Sequence, residues 1–514
     1  MSKKLPINPV WASEPTSDGG VLKAKSVRSR RPAQSLLCFI LISLILSSCA
    51  PSTEQYKGYF ESLSINPSDG GVDPGPEKII RKAHGSYGEK NEVLYDMDLG
   101  AAAQASGDYR TSEKAFRRAD RLSRILYTKS VTNIIEAYQT NDLVIPYRGY
   151  PFERVMINLL NSLNYAETGD WTGALVETRK IRLKLQEYNQ DYPKAATPPG
   201  KFARYESSAV RLMTQHHIAF NTAQLNHYTD DGFARFLSGV YQEAQVNSGG
   251  VDYSSSLISY RKAYSTYEKN QLLYRAPIPS FVVPALLRSA EASGRVNLLA
   301  RLKKRFPGVQ WIRAKSFEKM GHVIFIGYTG QIFHLTSQRF AFPFPIANTL
   351  AMVSFSVPNP VSGGSQIFAH RIVASTAGKT VVAENSSEIA EPLMAIGLTN
   401  FQDHLKRVVF REAVRSILKT AEEVVATNVA DRQGGGIAGL ITMIIGDVAN
   451  VASDEADTRS WRTLPSQMDF SELDLDPGTY DISVYPMGVS GPVIEKKVTL
   501  VPGQFLLLHE TDGR

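Results

Sequence analysis

Cysteine is almost missing from the 514 residues: there are two, Cys38 and Cys49, both near the N-terminus. Everything after Cys49 therefore forms no disulfide and carries no thiol chemistry, and its stability must rest on buried apolar area. Also missing is any apolar run of the ~20 residues that a membrane-spanning helix needs. The longest run in the N-terminal region, Leu36 to Leu46, is about half that. Gly434-Gly435-Gly436 lacks the Lys-Ser/Thr of a phosphate loop and follows a helix rather than a strand. The adjacent His216 and His217 would point about 100° apart on a helix, so they cannot face one metal as an i, i+4 pair does. The sequence gives no cofactor or metal signature.

What is present begins with the short apolar run. Lys23, Lys25, Arg28, Arg30 and Arg31 precede it, Ser47-Ser48 close it, and Cys49 follows. A basic region, a short apolar core and small residues before a cut make a secretory signal. With cysteine directly after them, the segment matches the bacterial lipoprotein pattern, in which the thiol takes a diacylglycerol and becomes the first mature residue. The expected attachment site is Cys49. In the enterobacterial lipoprotein sorting scheme that this resemblance implies, Ala50 rather than Asp in the next position favours transfer to the periplasmic face of the outer membrane. Removing the seven Lys/Arg and two Asp/Glu before Cys49 lowers the formal charge from +7 to +2, which excludes a nucleic-acid reading built on net charge.

The expected organisation is a signal peptide over 1–48, the acylated cysteine and a flexible tether over 49–76, a helical-repeat domain over 77–320, and a mixed strand and long-helix domain over 321–514. Pro51, Pro67, Pro74, Pro76 and Gly70-Gly71 suggest the tether. From Glu77 the pattern turns helical. Leu99-Gly100, then Gly107-Asp108-Tyr109, then Ser112, Phe116 and Ala119 resemble a tetratricopeptide (TPR) repeat: two helices joined at a glycine that takes a left-handed conformation. Asn158 to Ile181 repeats the pattern around Gly169-Asp170-Trp171. Weaker matches run through Tyr253, Ser256, Tyr260 and Ala263, and through Leu286 to Phe306 with Gly294 at the turn. Tyr109, Tyr165, Trp171 and Tyr260 form the pool for repeat packing.

At Gly321 the texture changes to short β-branched and aromatic runs at 322–328, 349–357, 367–375 and 380–383, with Pro343, Pro345, Pro358 and Pro360 expected in the loops between them. A long amphipathic helix is expected over 387–430, followed by the apolar stretch Gly435–Gly446, which suits burial by its length. Strands of β-sandwich type close the chain around Ile482, Val484, Val493–Leu500 and Phe505–Leu508. The fold class is α+β, with helical hairpins first and strands after.

The lipoprotein pattern, the Gly-Asp-aromatic turns, Tyr150-Pro151-Phe152-Glu153-Arg154-Val155-Met156, Ala174-Leu175-Val176-Glu177-Thr178-Arg179, and Arg459-Ser460-Trp461-Arg462-Thr463-Leu464-Pro465 before a Pro-Gly-Thr-Tyr strand together resemble an uncharacterised family of bacterial envelope lipoproteins with tetratricopeptide-like repeats. The resemblance implies placement and architecture, with no activity to transfer. Chemistry is sparse in the residues themselves. Glu153 with Arg154, and Glu177 with Arg179 and Arg182, are placed for ion pairs along helices. Arg339, His370 and Arg371 are scattered charges in strands, and Ser362-Gly363-Gly364-Ser365 has the composition of a loop rather than a nucleophile elbow. The expectation is a non-enzymatic scaffold tied to the membrane through Cys49, whose repeats hold a protein partner and which does not bind nucleic acid. An oligomerising or lipid-contacting subunit of a secretion, export or polysaccharide-assembly machine, working through Gly435–Gly446 as a possible homo-oligomer, is the alternative. A cell-wall hydrolase or its regulator is the third.

Overall fold

The computed structural model describes residues 53–63, 75–132, 143, 145–196, 226–247, 253–346, 349–363, 367–377, 380–432, 455–488 and 491–512. The signal segment, Cys49, His216-His217 and 434–446 lie outside the described residues. Residues 49–514 cluster as one compact unit, and the change of texture at Gly321 coincides with the passage from helices to strands.

Helices come first and sheets follow, giving a mixed α+β protein. In order the helices are α1 (Thr53–Leu63), α2 (Pro76–Lys82), α3 (His84–Tyr87), α4 (Glu92–Ala105), α5 (Tyr109–Thr132), α6 (Pro151–Glu167), α7 (Trp171–Ala196), α8 (Gly232–Asn247), α9 (Tyr253–Tyr274), α10 (Val282–Ala292), α11 (Val296–Arg305) and α12 (Ala314–Phe317). The pairs α4/α5, α6/α7 and α10/α11 are joined by the same turn. Gly107, Gly169 and Gly294 have φ of +74°, +76° and +66°. In each pair the glycine N–H bonds the carbonyl three residues back, at Gln104, Ala166 and Glu291. The next N–H bonds the carbonyl five back, at Ala103, Tyr165 and Ala290. This is the Schellman arrangement, which satisfies the last carbonyls of the first helix while reversing the chain.

The stretch expected to be a tether is partly helical. Tyr56 and Tyr59 of α1 are buried, and Tyr56 Oη donates to Asp98 Oδ2 at 2.9 Å. Two buried tyrosines outweigh the proline and glycine content around them, so residues 53–63 belong to the folded body.

The strands are β1 (Gly321–Thr329), β2 (His334–Ile346), β3 (Thr349–Val361), β4 (His370–Ser375), β5 (Val381–Ser386), β6 (Glu388–Glu391), β7 (Gln467–Leu475), β8 (Gly478–Pro486), β9 (Ile494–Leu500) and β10 (Phe505–Asp512), with the long helix α13 (Leu393–Arg432) between β6 and β7. One sheet has the order β10-β1-β7-β6, with β10 parallel to β1 and the other pairs antiparallel. A second has the order β5-β4-β8-β9, all antiparallel. Alternate residues of the first sheet divide between two cores, as a period of two requires. Ile324, Ile326, Tyr328, Phe470 and Phe505 join the helical core, while Val323, Phe325, Leu473 and Leu508 meet Ile372, Ile482, Val484 and Val498 of the second sheet. Every residue of β1 is buried, which is why it reads as a continuous apolar run.

The four prolines expected in loops lie inside β2 and β3. These two strands form an isolated ribbon, paired from His334↔Val361 to Ile346↔Thr349. Each strand has an unpaired side where a residue without an N–H costs no ladder bond, so proline is tolerated. Ala351, Val353, Phe355 and Val357 are buried, and Ser416 of α13 donates to the Ser354 carbonyl. The expected helix start at 387 moves to 393, because Glu388–Glu391 pairs with β7 as a strand.

Candidate functional site

Residues 150–156 and 459–465 meet α4 in one buried knot. Asp98 of α4 accepts from Tyr56, Tyr87 at 2.8 Å and Thr463 at 2.7 Å. Glu153, at the third position of α6, accepts from Tyr147 at 2.5 Å and from the backbone N–H groups of Tyr150 at 2.7 Å and Trp461 at 2.7 Å. Trp461 stacks edge-on against Phe116 and donates Nε1–H to Thr463. Arg459 bonds Asp457, Asn91 and the Ile145 carbonyl. Burial pushes Asp98 up to about 6 and Glu153 up to about 7, against the hydrogen bonds that favour their charged forms. Donors already occupy both carboxyls, so the knot fastens the 456–465 segment onto the helices and offers no substrate a place.

The expected ion pair of Glu153 with Arg154 is absent, because Glu153 turns into this knot. Arg154 is buried between the rings of Tyr127 and Tyr188, 4.2 and 4.9 Å from their centroids. Neither do Arg179 and Arg182 pair with Glu177. Glu177 is buried and bonds Asn158 at 2.6 Å and Lys180 at 2.8 Å, whereas both arginines are exposed. His370 is not a solvated charge: it is buried against Gly327 and lies 3.3 Å from Asp469. Arg371 is exposed beside Glu384, and Arg339 reaches Ser354.

A second cluster sits where α8, α10 and α12 cover the first sheet. Glu243 Oε2 accepts from Arg288 Nη2 and Tyr260 Oη, both at 2.8 Å, while Oε1 takes Ser289 Oγ at 3.2 Å and Arg288 Nε at 3.3 Å. Beside it His322 Nδ1 lies 2.6 Å from Asp474 Oδ1. With Glu472, these two side chains offer three ligand atoms within 4.8 Å of one another. One imidazole and two carboxylates form a donor set suited to a divalent transition-metal ion. Burial pushes Glu472 up to about 8 and Asp474 up to about 6, and lowers His322 to about 4. The sequence hid this set because Glu472 and Asp474 alternate with Leu473 and Leu475, a pattern that reads as a solvent-facing strand edge.

A surface groove of about 270 Å³ is bounded by α7, α8 and α9. Arg182, Gln186 and Asn189 line it from α7, Asp230 from just before α8, Arg235 from the first turn of α8, and Lys262 from α9. The positions 182, 186 and 189 fall on one helical face, as spacings of four and three require. Arg235 Nε binds both oxygens of Asp230, at 3.0 and 3.2 Å, and Thr266 donates to Asp230 at 3.0 Å. The one carboxylate in the groove is thus already neutralised. Among the described residues Arg182 and Lys262 have no ion-pair or hydrogen-bond partner. The residue types pointed only to helix-surface ion pairs; what the sequence lacks is the long-range apposition of α7 and α9.

No protein-family model, curated protein or solved structure matches the chain.

Proposed function

We propose that the chain is an envelope lipoprotein, acylated at Cys49 and held at the periplasmic face of the outer membrane, which acts as a non-enzymatic scaffold for a protein partner. The helical hairpins are TPR-like in this reading. The observation that carries it is the shared turn at Gly107, Gly169 and Gly294, with the same pair of hydrogen bonds at each. Hairpin packing supports it too. A Cβ at Gly100 would come 2.4 Å from the Phe116 ring, and one at Gly239 would come 2.4 Å from Tyr260, so glycine sits where paired helices approach most closely.

The helical face that a peptide would ordinarily use is filled by the protein's own sheet. Trp171 and Tyr109 pack on Phe505 and His509 of β10, Phe233 and Phe236 pack on Phe470 of β7, and Tyr328 of β1 donates to Gln104 of α4 at 3.2 Å. The partner surface in this proposal is therefore the outer groove between α7 and α9. The alternative of an oligomerising or lipid-contacting subunit draws support from the β2–β3 ribbon, where Leu350 and Met352 are 70% and 53% exposed. Crosslinking in intact envelopes, native against Cys49→Ser, tests the scaffold. Discrete partners attached through 77–320 that fade in the variant are expected. Self-crosslinks concentrated at 435–446, with no other protein captured, would replace it with the alternative.

A further inference from the structure

We infer that the groove between α7 and α9 receives an acidic, amphipathic segment of the partner protein, its carboxylates meeting Arg182 and Lys262. This rests on the scaffold reading and names the chemistry of what the scaffold holds.

The electrostatics come first. Three cations converge on the groove, and its single carboxylate is taken up by Arg235 and Thr266, so the unpaired charge facing a visitor is that of Arg182 and Lys262. Gln186 and Asn189 add amide donors on the same wall. Charge-assisted bonds from guanidinium and ammonium to carboxylate are the strong class of hydrogen bond. A cleft lined by one sign of charge also raises the local concentration of the opposite sign.

The neighbouring side chains decide which anion. Ile258, Lys262, Ser265 and Lys269 are spaced i, i+4, i+7 and i+11, so they share one stripe of α9, and Ile258 is 56% exposed. On α7 exposed Arg179 lies on the turn before Arg182. Cations set beside a large exposed apolar side chain complement a segment that alternates carboxylates with apolar anchors, as in groove recognition of an amphipathic helix. A free phosphate, or a polymer of phosphates, would leave Ile258 uncovered.

The test uses the full-length acylated protein in detergent and two labelled helical peptides, one with four glutamates and two leucines on one face, the other with glutamines in place of the glutamates. Fluorescence anisotropy should give at least tenfold tighter binding of the acidic peptide, weakening as ionic strength rises. The variant R182E/K262E should lose that advantage at least tenfold. Both positions are exposed, so its unfolding temperature should equal the native one. Equal binding of the two peptides, or native-like binding by the variant, overturns the inference. So does displacement of the acidic peptide by millimolar inorganic phosphate alone at matched ionic strength, which would make the groove a small-anion site. A photoreactive residue at Gln186 in intact envelopes separates this from the scaffold reading. Capture there of a protein whose crosslinked segment is acidic and amphipathic supports both, and capture through a segment without carboxylates overturns the inference. Partners captured only from other positions sink the groove and leave the scaffold, and capture from none sinks the scaffold while the peptide result still decides the groove.

Discussion

Replacing Arg288 by Met puts the buried ion pair under the first sheet to the test. Glu243 is 0% exposed and Arg288 4%; the guanidinium also lies 3.6 Å from the centre of the Phe317 ring. Removing the arginine leaves Glu243 with only Tyr260 Oη and Ser289 Oγ as donors, inside a region water does not reach. Breaking a buried pair in this way costs about 3–5 kcal/mol, mostly the penalty of the abandoned charge. Replacing Glu243 by Gln in the same molecule removes that charge, keeps an acceptor for Tyr260 and leaves methionine to fill the space against Phe317. The double variant R288M/E243Q should therefore recover to within about 1 kcal/mol of the native protein, since buried pairs exchanged for well-packed neutral groups are often close to neutral. Urea unfolding at pH 7 of the four members of the cycle gives the coupling directly. If the double variant is as unstable as the sum of the single changes, the charge argument is wrong and the arginine contributes by packing alone.

Three further outcomes follow from the geometry. Gly107→Ala, Gly169→Ala and Gly294→Ala should each cost about 1–2 kcal/mol, because a Cβ there meets nothing within 4 Å and the whole cost is the left-handed backbone; a loss confined to one of the three in urea unfolding would argue against equivalent turns. Trp461→Ala should cost about 3–5 kcal/mol and raise amide exchange in β7, since the ring is buried against Phe116 and the segment 456–465 leads into that strand; unchanged exchange would show that the knot does not hold the sheet. Glu391 is 1% exposed, its Oε1 lacks a hydrogen-bond partner among the described residues, and burial followed by the nearby Asp231 raises its pKa well above the usual glutamate value. The native state then holds a proton that the unfolded chain releases above about pH 4.5, so stability falls as pH rises from there toward the folded value, by up to about 1.4 kcal/mol per unit. Glu391→Gln should be nearly neutral at pH 4.5 and stabilising at pH 8, and equal destabilisation at both would refute the assignment.

How far these features could be read from residue order depends on the range of the contacts behind them. The turns at Gly107, Gly169 and Gly294 were legible because a Schellman end is set by six consecutive residues. The run from His322 to Tyr328 was legible as a strand because burial on both faces leaves no polar alternation to confuse it with a helix. Proline misled in the ribbon, where the usual reading assumes neighbours on both sides of a strand and β2 and β3 have one each. Composition misled at 53–63, where Tyr56 and Tyr59 find Asp98 and the helical core some forty residues on. Glu153 could not be separated from Arg154 by spacing. It accepts locally from Tyr147 and from the Tyr150 N–H, as a helix-capping glutamate does, and also from the Trp461 N–H, 308 positions away, which no local pattern encodes.

The same distance effect bears on where the proposed partner would sit. Stacked helical hairpins considered alone expose the face made by their first helices, and a reading of the repeats by themselves puts the binding surface there. In this chain the residues after 320 supply a sheet whose odd and even positions are both buried, one set against a second sheet and the other against the hairpins. A sheet so placed needs the helices as its second layer, and the helices in turn have their apolar face covered without any other protein. The cost is that the ordinary recognition face is spent on folding. The side left open carries α7 and α9, with exposed Arg179 and Arg182 on one and exposed Lys262 and Ile258 on one stripe of the other. Charged residues on that face cannot be explained by core packing, and most ion pairs that could have absorbed them are formed elsewhere: Glu177 with Lys180, Asp120 with Lys184, Asp230 with Arg235. With nearby carboxylates taken by other cations, Arg182 and Lys262 are the charges that the proposed acidic segment would meet, and Gln186 between them is where a photocrosslink tests it.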